Sequence, residues 1–115
     1  MLAASAHQSH AYPDGACLYF TWASRLPAGA SPGGPEADEV YRRAWDAVTG
    51  VTLRLGGALS HHHGVGLNRG RYMAEALGAG ATGVLRDIKA ALDPRGILNP
   101  GKLGLPSPWG PPTWP

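Results

Sequence analysis

Residues 16–23, ACLYFTWA, decide the fold, because they contain the clearest strand signal in the chain. They lie between the turn-forming segment 13–15, PDG, and a Pro/Gly-rich stretch at 25–35, which we expect to be an exposed loop. With the two-residue period of a strand, the two faces carry Leu18, Phe20, Trp22 and Cys17, Tyr19, Thr21. Because both faces carry bulk, we expect this strand to be central in a sheet or covered on both sides.

The residues after the loop carry a helical pattern that begins at Pro35. Proline suits the first turn of a helix, where its missing N–H is not needed, and Glu36 and Asp38 complement the positive end of the helix dipole. Apolar side chains recur at helical spacing, at Tyr41, Ala44, Trp45, Val48, Val51 and Leu55. The pair Gly56-Gly57 is a natural stop, so we predict a helix that ends there.

A second helical zone begins near Arg71, after a short extended piece at residues 58–60. Gly78 and Gly80 interrupt it, and Pro94 ends it because proline disfavours the α conformation of the residue before it. Its apolar stripe consists of Ala81, Val84, Leu85, Ile88 and Leu92. The sequence therefore predicts an α+β fold with one or two antiparallel strands and two or three helices, followed by a disordered tail rich in Pro and Trp at residues 105–115.

Composition excludes several classes of protein. The 115 residues fit at most one small domain, and a formal charge of +2 without a Lys/Arg run argues against nucleic-acid binding. The single Cys17 excludes an internal disulfide and a thiolate metal cluster, and it fits a reducing, cytoplasmic compartment. No run approaches the ~18 apolar residues of a transmembrane segment. Residues 1–12 lack the features of a signal peptide, and we expect them to lie within a domain.

The residues best suited to chemistry are the adjacent His61, His62 and His63. In an extended segment, the first and third would share one face and the second would oppose them. Glycines follow at 64 and 66 and let the backbone approach a planar ligand, while the cations Arg69 and Arg71 suit a phosphate or carboxylate. Imidazoles beside an anion site suit acid/base catalysis near neutral pH. The bare pattern also fits a solvated loop or an adventitious metal site.

Three motifs together resemble a known family. Residues 9–22, SHAYPDGACLYFTW, residues 56–69, GGALSHHHGVGLNR, and residues 93–104, DPRGILNPGKLG, occur in this order. They are similar to the C-terminal segment of FAD-linked oxidases of the vanillyl-alcohol-oxidase type. The triple histidine resembles the branch of that family that contains alkylglycerone-phosphate synthase.

The resemblance implies a division of labour between domains. Residues 1–104 would be part of the C-terminal domain, the cap that forms the substrate pocket. FAD would be bound mainly by an FAD-binding domain that is absent here, either as a missing N-terminal part or as a separate chain. The substrate would be a small molecule or a lipid phosphate, and we expect the chain to be inactive without that domain.

The resemblance also implies roles for individual residues. Histidines 61–63 would line the active site, with His63 as the acid/base residue and Tyr12 as a second proton carrier. Arg69 would meet a substrate phosphate or carboxylate. Near the cofactor we expect Asn99, in the NPGK motif, together with Gly64 and Gly66. No residue is expected to ligate a metal.

Three functions remain open at this stage. The first is the synthase-type exchange of the acyl chain of an acylated dihydroxyacetone phosphate for a fatty alcohol. The second is FAD-dependent oxidation of an alcohol or a 2-hydroxy acid of the glycolate or D-lactate kind, although such dehydrogenases typically carry Glu-His where this chain has His62-His63. The third is a non-catalytic remnant or a small metal-binding protein.

Overall fold

The structure, a computed structural model, describes residues 2–112 of the chain and divides them into two compact units. Unit 1 comprises residues 2–47 and unit 2 residues 48–112. The elements are, in chain order, β1 (Ala3–Tyr12), β2 (Gly15–Ala23), α1 (Pro35–Arg54), α2 (Gly66–Gly70) and α3 (Met73–Leu92). The α+β class, the two antiparallel strands and the three helices are those that the sequence predicts.

Unit 1 is built on a β-hairpin. β1 and β2 pair antiparallel, with Ala3 opposite Ala23 and Tyr12 opposite Gly15, and the register shifts between Gln8 and His10. Pro13-Asp14 supplies the turn, where a fixed proline φ and a short polar side chain favour reversal. Tyr12 is therefore the last residue of β1 and lies directly beside the turn.

The first part of α1 packs against the hairpin through aromatic side chains. The rings of Trp22 and Trp45 meet edge to face at 5.1 Å between centroids, and Tyr41 lies 6.2 Å from Trp45. This geometry suits the ring quadrupoles and adds to the burial of apolar area. The helix start predicted at Pro35 is confirmed, and Trp45 of the predicted apolar stripe contacts the hairpin.

The expectation that β2 is central or covered on both sides is wrong for the residues that the structure describes. β2 has one neighbouring strand, and Leu18 and Phe20 remain 49% and 50% exposed. A two-stranded hairpin is marginal on its own in water, because it buries too little apolar surface. Aromatic and aliphatic side chains of unit 1, such as Phe20 and Leu18, are therefore only about half buried.

Unit 2 has a small core where the start of α3 meets the C-terminal segment. Tyr72, Met73 and Leu105 are each 8% exposed, and they are the buried hydrophobic residues of the described chain. Gly104 makes this approach possible, since a Cβ there would lie 2.8 Å from the carbonyl oxygen of Gly70 and 3.0 Å from the Met73 Cβ. Its φ of +72° is also one that side chains rarely adopt.

α3 is interrupted at Gly78, as the sequence predicts. Gly78 has φ 74° and ψ 167°, and the Thr82 hydroxyl donates a 2.8 Å hydrogen bond to its carbonyl oxygen. The predicted apolar stripe is present but uncovered: Val84, Ile88 and Leu92 are 60%, 51% and 77% exposed. Neither α1 nor α3 is apolar enough along its length to cross a membrane.

Two local expectations differ from the structure or remain open. Residues 58–60 form no strand, and the last helical residue of α1 is Arg54, which leaves Leu55 82% exposed beyond the helix. Residues 105–112 contain neither helix nor strand, yet Leu105 is buried. Disorder of the tail remains a prediction, and residues 113–115 lie outside the described part.

The end of α3 is fixed by Asp93, whose side chain is almost fully buried. Its carboxylate accepts hydrogen bonds from the N–H groups of Ile97 at 3.1 Å and Leu98 at 2.9 Å. Lys89, one turn earlier, donates to the same carboxylate at 2.5 Å and also to the carbonyl oxygen of Leu98. One acidic side chain thus joins the last turn of α3 to the loop that follows it.

The pKa of Asp93 lies below its ordinary value of 3.8, mainly because Lys89 donates a hydrogen bond to the carboxylate. Desolvation raises this pKa, and the hydrogen bonds from the backbone of Leu98 and Ile97 lower it further. The folded chain therefore holds the proton more weakly than the unfolded chain. The stabilising contribution of Asp93 is complete above pH 3.8 and is lost as the pH falls through the lower folded pKa.

We expect Asp93→Asn to lower the protection of residues 93–104 in hydrogen–deuterium exchange near neutral pH. The difference between wild type and variant should stay constant down to pH 4 and shrink below it, because wild-type Asp93 then becomes protonated. Asp87→Asn, on the exposed surface of the same helix, is the control and should change nothing in this segment. A difference that persists unchanged at pH 2 would contradict the ionic role of Asp93.

We expect Gly104→Ala to destabilise unit 2 by about 2–3 kcal/mol, because strain at positive φ is joined by overlap with the Gly70 carbonyl and Met73. Gly110→Ala is the matched control: its φ is +92°, but an added Cβ meets nothing within 4 Å. Urea unfolding of both variants should show a clearly larger loss for Gly104→Ala. Equal losses would mean that the close approach carries no energy.

Candidate functional site

The histidine run lies in a loop that connects α1 to α2. Residues 59 and 61–63 are bends, and α2 begins at Gly66. Gly64 and Gly66 have φ values of +75° and +57°, in the left-handed region where glycine carries no steric penalty. A Cβ at either position would meet nothing within 4 Å, so open space lies beside the backbone. A flat ligand could therefore approach the main chain there.

The three imidazoles contact one another in sequence. Ring centroids lie 4.9 Å apart for His61 and His62 and 4.5 Å apart for His62 and His63, and both pairs are edge to face at 87°. The Nδ1 atoms of His61 and His62 are hydrogen-bonded at 2.6 Å. The alternation expected for an extended segment is not seen, because the backbone bends here and turns the rings toward each other. All three side chains are exposed.

Arg69 ties α2 back to this loop. Its guanidinium donates a 3.4 Å hydrogen bond to the carbonyl oxygen of Gly64, the residue that follows the histidines. Arginine presents five N–H donors in a planar fork, the group that suits a carboxylate or a phosphate. The structure thus places a cation beside the histidine loop, in the same unit.

The remaining predicted site residues lie elsewhere along the chain. Tyr12 ends β1 in unit 1, is 50% exposed, and lies parallel to the His10 ring at 6.3 Å. Asn99 is in unit 2, exposed, and adopts a φ of +44°, which short polar side chains tolerate. The next turn is held by Lys102, which donates to the carbonyl oxygen of Pro100 at 3.2 Å. The structure brings the histidines and Arg69 together within one unit, and the role of each stays a prediction.

Comparison with known proteins identifies the class. Residues 3–103 match the family described as FAD linked oxidases, C-terminal domain, and the chain belongs to that family. No solved structure matches it significantly.

Three relatives indicate how varied this family is. An alkyldihydroxyacetonephosphate synthase of Dictyostelium discoideum is 38% identical over 98 residues, 85% of this chain and 15% of the relative. The FAD-linked oxidoreductase YgcU of Escherichia coli K12 is 32% identical over 97 residues, 84% of this chain and 19% of the relative. The mitochondrial D-lactate dehydrogenase [cytochrome] 1 of Saccharomyces cerevisiae is 35% identical over 69 residues, 60% of this chain and 12% of the relative. The chain thus spans less than a fifth of the length of these relatives.

The cofactor of this family is FAD, and the described residues fit one side of it. Imidazole donors and the open space at Gly64 and Gly66 suit contact with a flat ring. The loop between β2 and α1 contains Gly29, Gly33 and Gly34, but it lacks the G-x-G-x-x-G spacing that cradles a dinucleotide phosphate. The described residues therefore suit contact with the flat ring of the cofactor and do not form a phosphate cradle of this kind.

Proposed function

We propose that this chain forms the substrate-facing wall of an FAD-dependent enzyme of the alkyldihydroxyacetonephosphate synthase type. The observation that carries the proposal is the exposed run of three contacting imidazoles beside glycine backbone with open space. The synthases of Dictyostelium discoideum and Trypanosoma brucei brucei, each 38% identical to this chain, support it. The same proposal includes a role in lipid biosynthesis. It also places the protein in the reducing cytoplasm, which the single Cys17 suggests.

In this proposal the chain's own residues move protons and hold the substrate. His63, directly before Gly64, donates a proton to a leaving oxygen or accepts one from an attacking hydroxyl, which suits an imidazole near neutral pH. His61 and His62 orient one another through their Nδ1 hydrogen bond and form the wall beside His63. Tyr12 is the second proton carrier.

Arg69 supplies the positive charge for the substrate's phosphate or carboxylate. Its hydrogen bond to the Gly64 carbonyl oxygen holds the guanidinium near the histidine loop, so an anion bound to it lies near the proton carriers. FAD, bound by the other domain, supplies the reactive ring. Histidines 61–63, Gly64 and Gly66 border that ring on the substrate side, and Asn99 is proposed to contact it from the NPGK turn.

The test is the exchange reaction in the complete enzyme, with its FAD-binding domain. Acylated dihydroxyacetone phosphate and a fatty alcohol should give the ether product and a free fatty acid, without net reduction of the flavin. His63→Ala should lower kcat by about 100-fold or more, since general acid/base catalysis contributes that much.

The control for this test is His7→Ala, which replaces an exposed histidine of β1 that has no role in the proposal and should leave turnover within about twofold, as expected for a surface substitution. Flavin content and absorbance must match wild type, so that loss of turnover reports chemistry rather than loss of cofactor. Full turnover after replacement of all three histidines 61–63 by alanine would overturn the proposal.

A second function is favoured by two of the relatives: oxidation of a 2-hydroxy acid or an alcohol. D-lactate dehydrogenase and YgcU are named for oxidation chemistry, and each shares about a third of its aligned residues with this chain. Here the imidazole of His63 would accept the hydroxyl proton and Arg69 would hold the carboxylate. Flavin bleaching and dye reduction with a panel of hydroxy acids, without acyl exchange, would favour this function over the first.

A further inference from the structure

Unit 2 contains a pocket that the histidine site does not use. It has a volume of about 720 Å³, within the range of ligand sites in proteins. Its walls come from α2, α3 and the C-terminal segment, with Leu67 and Leu105 on the apolar side and Arg71 and Arg86 as its charged residues. None of the three histidines lines it, and Arg71 is the one lining residue that the sequence also suggests as an anion-binding group.

The apolar wall is built by the segment that follows Gly104. Prolines 106, 111 and 112 line the pocket together with Leu105, which is buried. Two glycines let the segment pack back on unit 2: a Cβ at Gly96 would lie 3.1 Å from Pro108, and one at Gly101 would lie 3.0 Å from Pro112. The pocket wall is therefore supported by close contacts of the main chain.

The two arginines give the pocket one sign of charge. The Arg71 guanidinium lies 4.8 Å from the centroid of the buried Tyr72 ring, a cation–π contact that orients it. Within residues 2–112, Arg86 forms no ion pair with an acidic side chain. No Asp or Glu is among the described residues that line the pocket, so its charged lining is entirely basic.

The net charge of unit 2 is also positive, which favours the binding of an anion. Residues 48–112 contain seven Lys and Arg against three Asp and Glu, a formal charge of +4, whereas residues 2–47 carry three against five, a formal charge of −2. A basic unit raises the local concentration of anions. An anion that also has an apolar body gains contact with the leucines and prolines, which an inorganic ion cannot.

We propose that this pocket is a second binding site, for an amphiphilic organic anion whose acid group meets Arg71 and Arg86 and whose apolar body lies against Leu67, Leu105 and the proline wall. The acid group is a carboxylate or a phosphate monoester, since arginine binds both through paired N–H donors. The site does not depend on the proposed function, because neither the flavin nor the histidines enter it.

The experiment compares four probes on the 115-residue chain by NMR, observing the Arg side-chain Nε–Hε signals. Octanoate and octyl phosphate carry the same apolar tail with different acid groups, octan-1-ol carries the tail alone, and inorganic phosphate carries the charge alone. At least one octyl anion should bind saturably, with shifts at Arg71 and Arg86, and about tenfold more tightly than octan-1-ol or phosphate. The stronger of the two anions identifies the acid group.

Variants separate this site from general surface charge. Arg71→Gln combined with Arg86→Gln should weaken binding about tenfold, while the corresponding Lys pair should retain most of it, because charge is kept. Arg95→Gln removes an exposed cation outside the pocket and should have no effect. Replacement of histidines 61–63 by alanine should also leave binding intact, so this proposal and the proposed function can fail separately.

Several outcomes would overturn the site. Equal affinity for octan-1-ol and the octyl anions would mean that the arginines play no part. Binding that survives the double Gln variant, or that disappears with Arg95→Gln, would place the anion elsewhere. A wild-type chain that binds none of the four probes, or whose signals lack the dispersion of a folded unit, would refute the pocket itself.

Discussion

The Asp93 carboxylate is the interaction on which unit 2 depends. It closes α3 by accepting from Lys89, and it turns the following loop by accepting from the N–H groups of Ile97 and Leu98. The chain that follows this loop reaches Gly104, which lies close to Gly70, and Leu105, which is buried like Tyr72 and Met73. A buried carboxylate is costly unless it is paired and hydrogen-bonded, and here it has both kinds of partner. A polar anchor therefore organises a unit with few buried apolar residues.

The sequence predicts the elements of this fold better than their surroundings. The strand at 16–23, the helix start at Pro35, the break at Gly78 and the stop before Pro94 all follow from local chemistry, and the structure confirms them. The prediction that β2 is central or covered on both sides is wrong, because periodicity shows which side chains share a face and not whether another surface covers that face. Leu18 and Leu92 lie on such faces, and they are 49% and 77% exposed.

The sequence likewise identifies residues of the candidate site but not the contacts among them. Composition and spacing identify the histidines and Arg69, but the ring contacts depend on bends that the three-residue run does not encode. Arg86 was missed because a single arginine on an amphipathic helix looks like any solvated charge. Arg86 lines the same pocket as Arg71 and Leu105. This proximity results from the packing of the loops around Asp93 and Gly104, which no sequence pattern predicts. The sequence predicts a helix stop at Asp93-Pro94, but it does not reveal that the Asp93 carboxylate also accepts hydrogen bonds from the N–H groups of Ile97 and Leu98.

The hydrogen bond between His61 and His62 has a consequence for the outer edge of the pair. When both rings are neutral, one Nδ1 carries the hydrogen and the other accepts it, so the two imidazoles hold opposite tautomers. The ring that donates through Nδ1 then has a bare Nε2, while its neighbour has an Nε2–H. While both rings are neutral, the pair thus offers one lone pair and one hydrogen at its outer edge. Transfer of the shared hydrogen alone would leave one ring without an N–H and the other with two. The two roles therefore swap only when the outer Nε2 hydrogen is also exchanged, so a group that takes a hydrogen from one Nε2 and returns one to the other resets the pair without any movement of the chain.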